Sequence, residues 1–398
     1  MRILMFSWEY PPKVVGGLSR HVQELCRALA DEHEVHVITQ GDDGGVDRDM
    51  GVWVHRAEVP GPRVDDFLQW ASQLTVGMLV AGARLINDTG SFDIVHAHDW
   101  TSAFAGVGIK HAYDIPLVAT VHATEYGRNN GLHTPVQRRI SDIEWYLGYE
   151  AWRVIVCSEP MRRELMAVFG IPGDKLRVIP NGVAAQHFVN ASCGTVGNMG
   201  FSPDDEIIVF VGRLVHEKGV QVLLEAMPQV LATHPRAVLA LIGTGPHEQH
   251  LRQLAGDLGV AGSVRMLGFV SDSVRNGLYG AAKVAVVPSL YEPFGITALE
   301  AMAAGTPLIA SDTGGLSEIV RHGKNGIITP AGNPQELASN IVALLGDEQL
   351  RHQLARAGSD DVRRLYDWRA ICKNTISVYS EVLREANADT ADLEAVSR

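Results

Sequence analysis

Two carboxylates, Glu292 and Glu300, stand eight residues apart in the stretch Ser289–Ala304, SLYEPFGITALEAMAA. Between them lie Pro293, Phe294 and Gly295, followed by a run of strong helix formers. Pro293 suits an entry turn or a first helical position, and a helix is predicted over Ile296–Ala304. The backbone N–H groups near Phe294, Gly295 and Ile296 would then lack partners at the positive end of the helix dipole, an arrangement that suits a phosphate. A rise of about 1.5 Å per residue sets the two carboxylates about 10 Å apart. That is long for two carboxylates working on one glycosidic bond, where roughly 5–9.5 Å is usual. It suits two carboxylates that each hold a sugar hydroxyl at opposite ends of a ligand with a diphosphate in its middle. A nucleoside diphosphate sugar has that shape.

Cations at the right place strengthen the phosphate reading. Arg213, in Gly212-Arg213-Leu214, follows the apolar strand expected at Ile207–Val211, and Lys218 comes five residues later beside Gly219. Arginine forks across two phosphate oxygens and lysine acts as a point charge, so the pair could neutralise charge on a leaving diphosphate. Gly16 and Gly17 sit where a first strand passes into a helix and permit close backbone approach to phosphate. His122 ends another expected strand, as either a ligand contact or a hydrogen-bonded structural histidine. The cluster His96-Ala97-His98-Asp99-Trp100 could in principle ligate a metal, but a metal site would want further ligands at consistent spacing. Asp99 there is placed to cap a helix near Thr101 and Ser102.

These residues need α/β elements to carry them. Strands are expected at Arg2–Phe6, Glu34–Thr39, Val52–Arg56, Asp93–His96, Pro116–Val121, Arg153–Cys157 and Leu176–Ile179, with helical patterns between most of them. Asp42–Asp49 reads as an exposed loop, and Ala184–Asp205 as irregular and linker-like. A second α/β series follows at Ile207–Val211, Ala237–Ile242, Val264–Leu267, Lys283–Val287, Pro307–Ala310 and Gly326–Thr329. Apolar strands flanked by helices imply parallel sheets buried on both faces, with ligands outside the strands' carboxyl ends. Trp368, Ile371, Thr375, Val378 and Val382 recur at helical spacing, and the polar end Ala386–Arg398 is expected to fray.

With 398 residues, 46% hydrophobic and 20% charged, the chain is globular and long enough for two domains. A net charge of −12 disfavours nonspecific nucleic-acid binding. The four cysteines, Cys26, Cys157, Cys193 and Cys372, are scattered, which fits reduced thiols and a cytoplasmic location. No signal peptide is visible, and the longest apolar stretch, Leu74–Ile86, is too short to span a bilayer, which leaves peripheral membrane contact open. No G-x-G-x-x-G follows the first strand, so a dinucleotide dehydrogenase is poorly supported.

The run E-P-F-G-I-T-A-L-E, with G-R-L-V-H-E-K-G upstream, resembles the retaining family-4 glycosyltransferases of GT-B fold, over most of the chain and most sharply at Val211–Glu318. The resemblance implies two Rossmann-like doubly wound parallel-sheet domains facing across a cleft. Residues 1–182 with a crossover helix at 368–398 would form the acceptor domain, and residues 183–367 the donor domain. It implies donor contacts from Gly16, Gly17, Arg213, Lys218, Phe294, Gly295, Ile296 and Glu300. Glu300 would hold ribose hydroxyls, and Glu292 and His122 would meet the transferred hexose. His-Asp-Trp at 98–100 is similar to bacterial glycogen synthases, which makes Asp99 an active-site candidate, and Glu9 in SWEYPP would face the acceptor. Those enzymes carry K-x-G-G-L where this chain has Lys13-Val14-Val15-Gly16-Gly17-Leu18, so the lysine stands one residue further from the glycines. The implied activity is transfer of a hexose, with glucose favoured, from an ADP- or UDP-sugar to an α-glucan, with no metal or other cofactor. Transfer to a lipid-linked or surface-glycan acceptor is the alternative, and a GT-B sugar-nucleotide epimerase is the rival of another class.

Overall fold

Continuous apolar runs in this chain form strands covered on both faces, which places the chemistry at their ends. The computed structural model describes residues 1–41, 44–188 and 199–396, the last eight of these by backbone alone. The chain divides into two units, Met1–Asn181 with Trp368–Arg398, and Gly182–Asp367.

The first unit begins with β1 (Arg2–Phe6), α1 (Gly17–Ala30), β2 (Glu34–Gly41), β3 (Val46–Asp49), β4 (Val52–Glu58) and α2 (Phe67–Thr89). It continues with β5 (Ile94–His98), α3 (Ala103–Tyr113), β6 (Leu117–Val121), α4 (Glu125–Asn129), α5 (Pro135–Glu150), β7 (Arg153–Val156), α6 (Glu159–Phe169) and β8 (Leu176–Val178). The sheet order is β3-β4-β2-β1-β5-β6-β7-β8. All pairs are parallel except β3 with β4. Ile3 to Phe6 are completely buried. The strand order reverses between β1 and β5, with Phe6 opposite Ala97, and such a switch point opens a crevice at the carboxyl ends.

The second unit holds β9 (Glu206–Val211), α7 (Val220–Thr233), β10 (Ala237–Ile242), α8 (Glu248–Asp257), β11 (Val264–Gly268), α9 (Asp272–Ala281) and β12 (Val284–Val287). Then come α10 (Ile296–Ala303), β13 (Leu308–Ser311), α11 (Leu316–Ile319), β14 (Ile327–Thr329), α12 (Pro334–Gly346) and α13 (Glu348–Leu365). Its sheet, β11-β10-β9-β12-β13-β14, is wholly parallel and switches between β9 and β12. Phe210, Leu239, Leu241, Leu223, Met227 and Ile341 form part of one buried core beneath α7 and α12.

The final helix, α14 (Trp368–Val396), belongs to the first unit. Trp368, Ile371, Thr375, Val378 and Val382 are all buried. The Tyr379 hydroxyl lies 2.7 Å from His96 Nδ1, and Glu381 accepts from Arg153 at 2.9 Å.

Four expectations need correction. Val46–Asp49 is an antiparallel edge strand, not loop: it has an exposed side with no apolar alternation to announce it, yet it pairs along β4. The strand placed at Asp93–His96 runs on to His98, because His96 and His98 are fully buried and continue the ladder with β6. The end expected to fray from Ala386 stays helical to Val396. In the stretch read as irregular, Ala185–His187 forms a short 3-10 turn, while residues 189–198, with Cys193, lie outside the described residues. The other three cysteines are buried. Among the described residues, no helix is long and apolar enough to cross a membrane.

Candidate functional site

In the second unit the candidates converge on the switch point. After β9 the chain turns through Arg213 and a short 3-10 turn, His216–Lys218. The Glu217 carbonyl accepts the N–H groups of Leu290 and Tyr291 at 2.8 and 3.2 Å, which ties that turn to the loop leaving β12. Gly219 makes this approach feasible: its φ is +70°, and a Cβ there would stand 1.9 Å from the Pro288 carbonyl oxygen. Lys218 and Glu292, far apart in sequence, therefore meet, with Nζ 2.7 Å from Oε2. Ser289 Oγ donates to the same oxygen at 3.0 Å. Glu292 is buried and Lys218 half-buried, while Arg213 is exposed, its guanidinium in no hydrogen bond or ion pair among the described residues.

Phe294 is buried, Gly295 precedes α10 with φ +116°, and Ile296 is the first helical residue, so the predicted helix start stands where expected. Among the described residues no acceptor is bonded to the N–H groups of Phe294, Gly295 or Ile296. Glu300 is buried inside α10, with Arg275 Nη2 at 3.7 Å and the Tyr279 hydroxyl at 3.4 Å, both from α9. Ser289, Arg275 and Tyr279 carried no signal in sequence, because each acts only through a partner brought near by the sheet.

In the first unit, His122 directly follows β6 and Asp99 directly follows β5. Asp99 Oδ1 accepts the His122 backbone N–H at 2.7 Å. Asp99 therefore fixes the histidine; its side chain makes no cap bond to the helical turn at Trp100–Ser102. Its φ of +57° is uncommon outside glycine, a strain typical of functional positions. Burial raises the Asp99 carboxyl to about 6, against the opposing pull of Arg128 and the His122 N–H. Burial, helped by Arg128, holds His122 down to about 3. His122 is thus neutral at physiological pH and offers hydrogen bonds rather than charge.

Glu9 does not face outward for an acceptor. It is 4% exposed, and Oε2 accepts the N–H groups of Val15 and Gly16 at 2.8 and 2.9 Å. A buried carboxylate needs such donors, and it takes the Gly16 N–H that was read as open to phosphate. Gly16 still precedes α1 and has open space where a Cβ would be, and Gly17 begins the helix.

The histidines regroup as well. His96 lies 2.7 Å from both Tyr379 Oη and Thr120 Oγ1. His98 Nδ1 lies 3.1 Å from His122 Nε2. His21, His98 and His122 each bring a ring nitrogen within 4.8 Å of the others, a set that could accept a transition metal. A shared proton between His98 and His122 accounts for their separation equally well.

Glu144 on α5 was missed too, since a lone glutamate in a helix reads as solvated. It is 3% exposed, and its two oxygens accept the Glu125 N–H at 2.9 and 3.1 Å. Burial lifts its carboxyl to about 8. The folded protein thus keeps a proton that the unfolded chain releases near 4.5, so stability is lost as pH rises between these values. Denaturant titrations of wild type and Glu144→Gln should show the wild type losing about 3 kcal/mol relative to the variant between pH 5 and 8.5. A pH-independent difference would contradict the buried, protonated carboxyl.

Two doubly wound α/β units, with cations and carboxylates at the second unit's switch point, define the GT-B class of sugar-transferring enzymes. Residues 198–361 match the family described as Glycosyl transferases group 1, and residues 15–187 that described as Glycosyltransferase Family 4. An uncharacterized glycosyltransferase of Methanocaldococcus jannaschii is 39% identical over 95% of this chain and 98% of its own. A glycogen synthase of Mycobacterium tuberculosis is 35% identical over 95% of this chain and 94% of its own. Among solved structures, sucrose-phosphate synthase from Thermosynechococcus elongatus superposes with a TM-score of 0.85 at 25% identity, covering 96% of this chain and 99% of that one. The chain belongs to the group 1, family-4 glycosyltransferases, and it is an enzyme of that family with the GT-B fold.

Proposed function

We propose that this glycosyltransferase moves glucose, with retention of configuration, from ADP- or UDP-glucose to an α-glucan in the cytoplasm. The observation that carries the reading is the meeting of Lys218 and Glu292 beside the α10 N-terminus, with exposed Arg213 five residues before Lys218. Arg213, Lys218 and the Phe294–Ile296 amides take the diphosphate, and the Gly16 and Gly17 backbone adds to its binding. Glu300, its charge balanced by Arg275, takes the ribose. Glu292 and neutral His122 take hexose hydroxyls, with Asp99 holding His122 in position. The bond from the anomeric carbon to the phosphate oxygen breaks, and negative charge grows on the diphosphate. The acceptor hydroxyl adds on the face the diphosphate leaves, and its proton passes to the departing phosphate oxygen. The glucan acceptor is favoured by His98-Asp99-Trp100 and by the name of the mycobacterial relative.

Charge on the diphosphate is met by Arg213 and Lys218, so the reaction needs no metal. In EDTA, the enzyme should release nucleoside diphosphate from ADP- or UDP-glucose only with maltoheptaose present, and should lengthen that chain. Donor inversion or hydrolysis that ignores the acceptor would indicate the epimerase class instead. Activity abolished by EDTA and restored by Mn²⁺ or Mg²⁺ would overturn metal independence.

A further inference from the structure

The residues after β1 and β5 extend beyond the site into a surface that the chemistry above does not use. Trp8 follows β1 by two residues, and Trp100 follows β5 by two, next to Asp99. Both therefore stand at the sheet edge that carries His122. Around them α2 supplies Phe67 and Trp70, whose rings stack with centroids 5.5 Å apart. Trp8 meets both edge-on, at 6.3 and 5.7 Å, and Phe67 meets Trp100 at 5.8 Å. The ledge is not sealed core: Phe67 is 49% exposed, Trp8 and Trp70 are half-buried, and Trp100 closes the bottom.

A cavity of about 390 Å³ opens beside this ledge, between α2, α3 and α5. Trp100 and half-exposed Phe104 line it together with Asp66, Gln69, Ser72 and Arg139. Arg139 is exposed, and its guanidinium has no ion pair or hydrogen bond among the described residues. Aromatic faces interleaved with amide, hydroxyl, carboxylate and guanidinium groups do not suit a purely apolar partner. They suit a ligand whose own surface alternates apolar ring faces with a hydroxyl rim. A neutral pyranose chain has that alternation.

We propose that this ledge and cavity form a distal subsite for a neutral oligosaccharide, gripping the acceptor chain beyond the sugar unit that reacts. The assignment rests on the transferase reading above and adds to it a specificity for chain length. Sugar units lie along Phe67 and Trp70, with Trp100 leading back toward Asp99 and His122. Acceptors long enough to reach the ledge bind better than those that end before it.

The test titrates the full chain, without donor, with maltose, maltotetraose and maltoheptaose, following tryptophan fluorescence and calorimetric heat. Affinity should climb with length. Phe67→Ala, Trp70→Ala and Arg139→Gln should each weaken maltoheptaose binding by about tenfold, and raise its KM likewise. The same variants should leave KM for the donor and turnover on maltose within about twofold. Phe67 and Arg139 are exposed, so their variants test the idea even if Trp70→Ala fails to fold. Unchanged maltoheptaose affinity in folded Phe67→Ala and Arg139→Gln would overturn the subsite, as would affinity independent of length. Binding of these variants' parent to phosphatidylglycerol vesicles but not to oligosaccharide would overturn it in favour of a lipid surface. Failure of the transferase reading shows separately: length-dependent binding lost in the variants, but no donor turnover, keeps the subsite and removes the reaction. Donor turnover on some other acceptor, with no oligosaccharide binding, does the reverse.

Discussion

Arg213→Ala and Lys218→Ala should each lower kcat/KM for the sugar donor by about 10²-fold or more, through loss of about 3 kcal/mol of transition-state charge stabilisation. The two variants test different things. Arg213 is exposed and its side chain makes no hydrogen bond or ion pair among the described residues, so its loss should read out chiefly on the ligand. Lys218 is paired with Glu292 at 2.7 Å, and Glu292 is only 7% exposed. Removing the lysine leaves a buried carboxylate with Ser289 as its remaining donor in this group, a costlier state. Lys218→Ala should therefore be the more damaging, and Lys218→Ala with Glu292→Gln should cost less than the two changes added. Steady-state kinetics with thermal melts as folding controls decide it. Near wild-type activity in both single variants would remove the phosphate clamp.

Gly314→Ala should be nearly as harmful although residue 314 bears no chemical group. Its φ is +51°, and an added Cβ would lie 1.9 Å from the Glu292 carbonyl oxygen. That same carbonyl accepts the Gly315 N–H at 3.0 Å, so the Gly314-Gly315 turn sets the height of the loop that presents Glu292. The contact is backbone on both sides, and neither a rotamer change nor a small side-chain shift relieves it. Displacing Glu292 by about 1 Å costs on the order of 10²-fold in rate. The expected result is a folded protein, with its circular dichroism retained and kcat down about 10²-fold. Wild-type kcat would show that the loop tolerates the shift.

Much of the candidate site was legible because it lies at strand ends, and strands here announce themselves as apolar runs. The Ile207–Val211 run puts Arg213 and Lys218 at a carboxyl edge, and Pro293-Phe294-Gly295 marks the start of α10. Roles carried by a distant partner were not legible. Glu9 has the type of an acceptor contact, but the loop that follows it folds back so that its carboxylate meets the Val15 and Gly16 amides. Asp99 reads equally as helix cap or sugar contact, and only the parallel pairing of β5 with β6 brings His122 to it. Arg275 and Tyr279 find Glu300 through the packing of α9 against α10's side chains. Edge strand β3 failed for another reason: with one side open to solvent, its sequence need not alternate.

The central claim is that a nucleoside diphosphate sugar lies along α10's start with ribose at Glu300 and hexose at Glu292. Calorimetric titration of the nucleoside diphosphate into Glu292→Gln and Glu300→Gln tests it most directly. A ribose contact is shared by ground and transition states, so its loss weakens binding; a hexose contact that tightens as positive charge develops appears in turnover. Glu300→Gln should weaken diphosphate affinity by about tenfold and raise the donor KM, while Glu292→Gln should keep diphosphate affinity within about twofold and lower kcat. Lost diphosphate affinity in Glu292→Gln, with wild-type affinity in Glu300→Gln, would contradict the account.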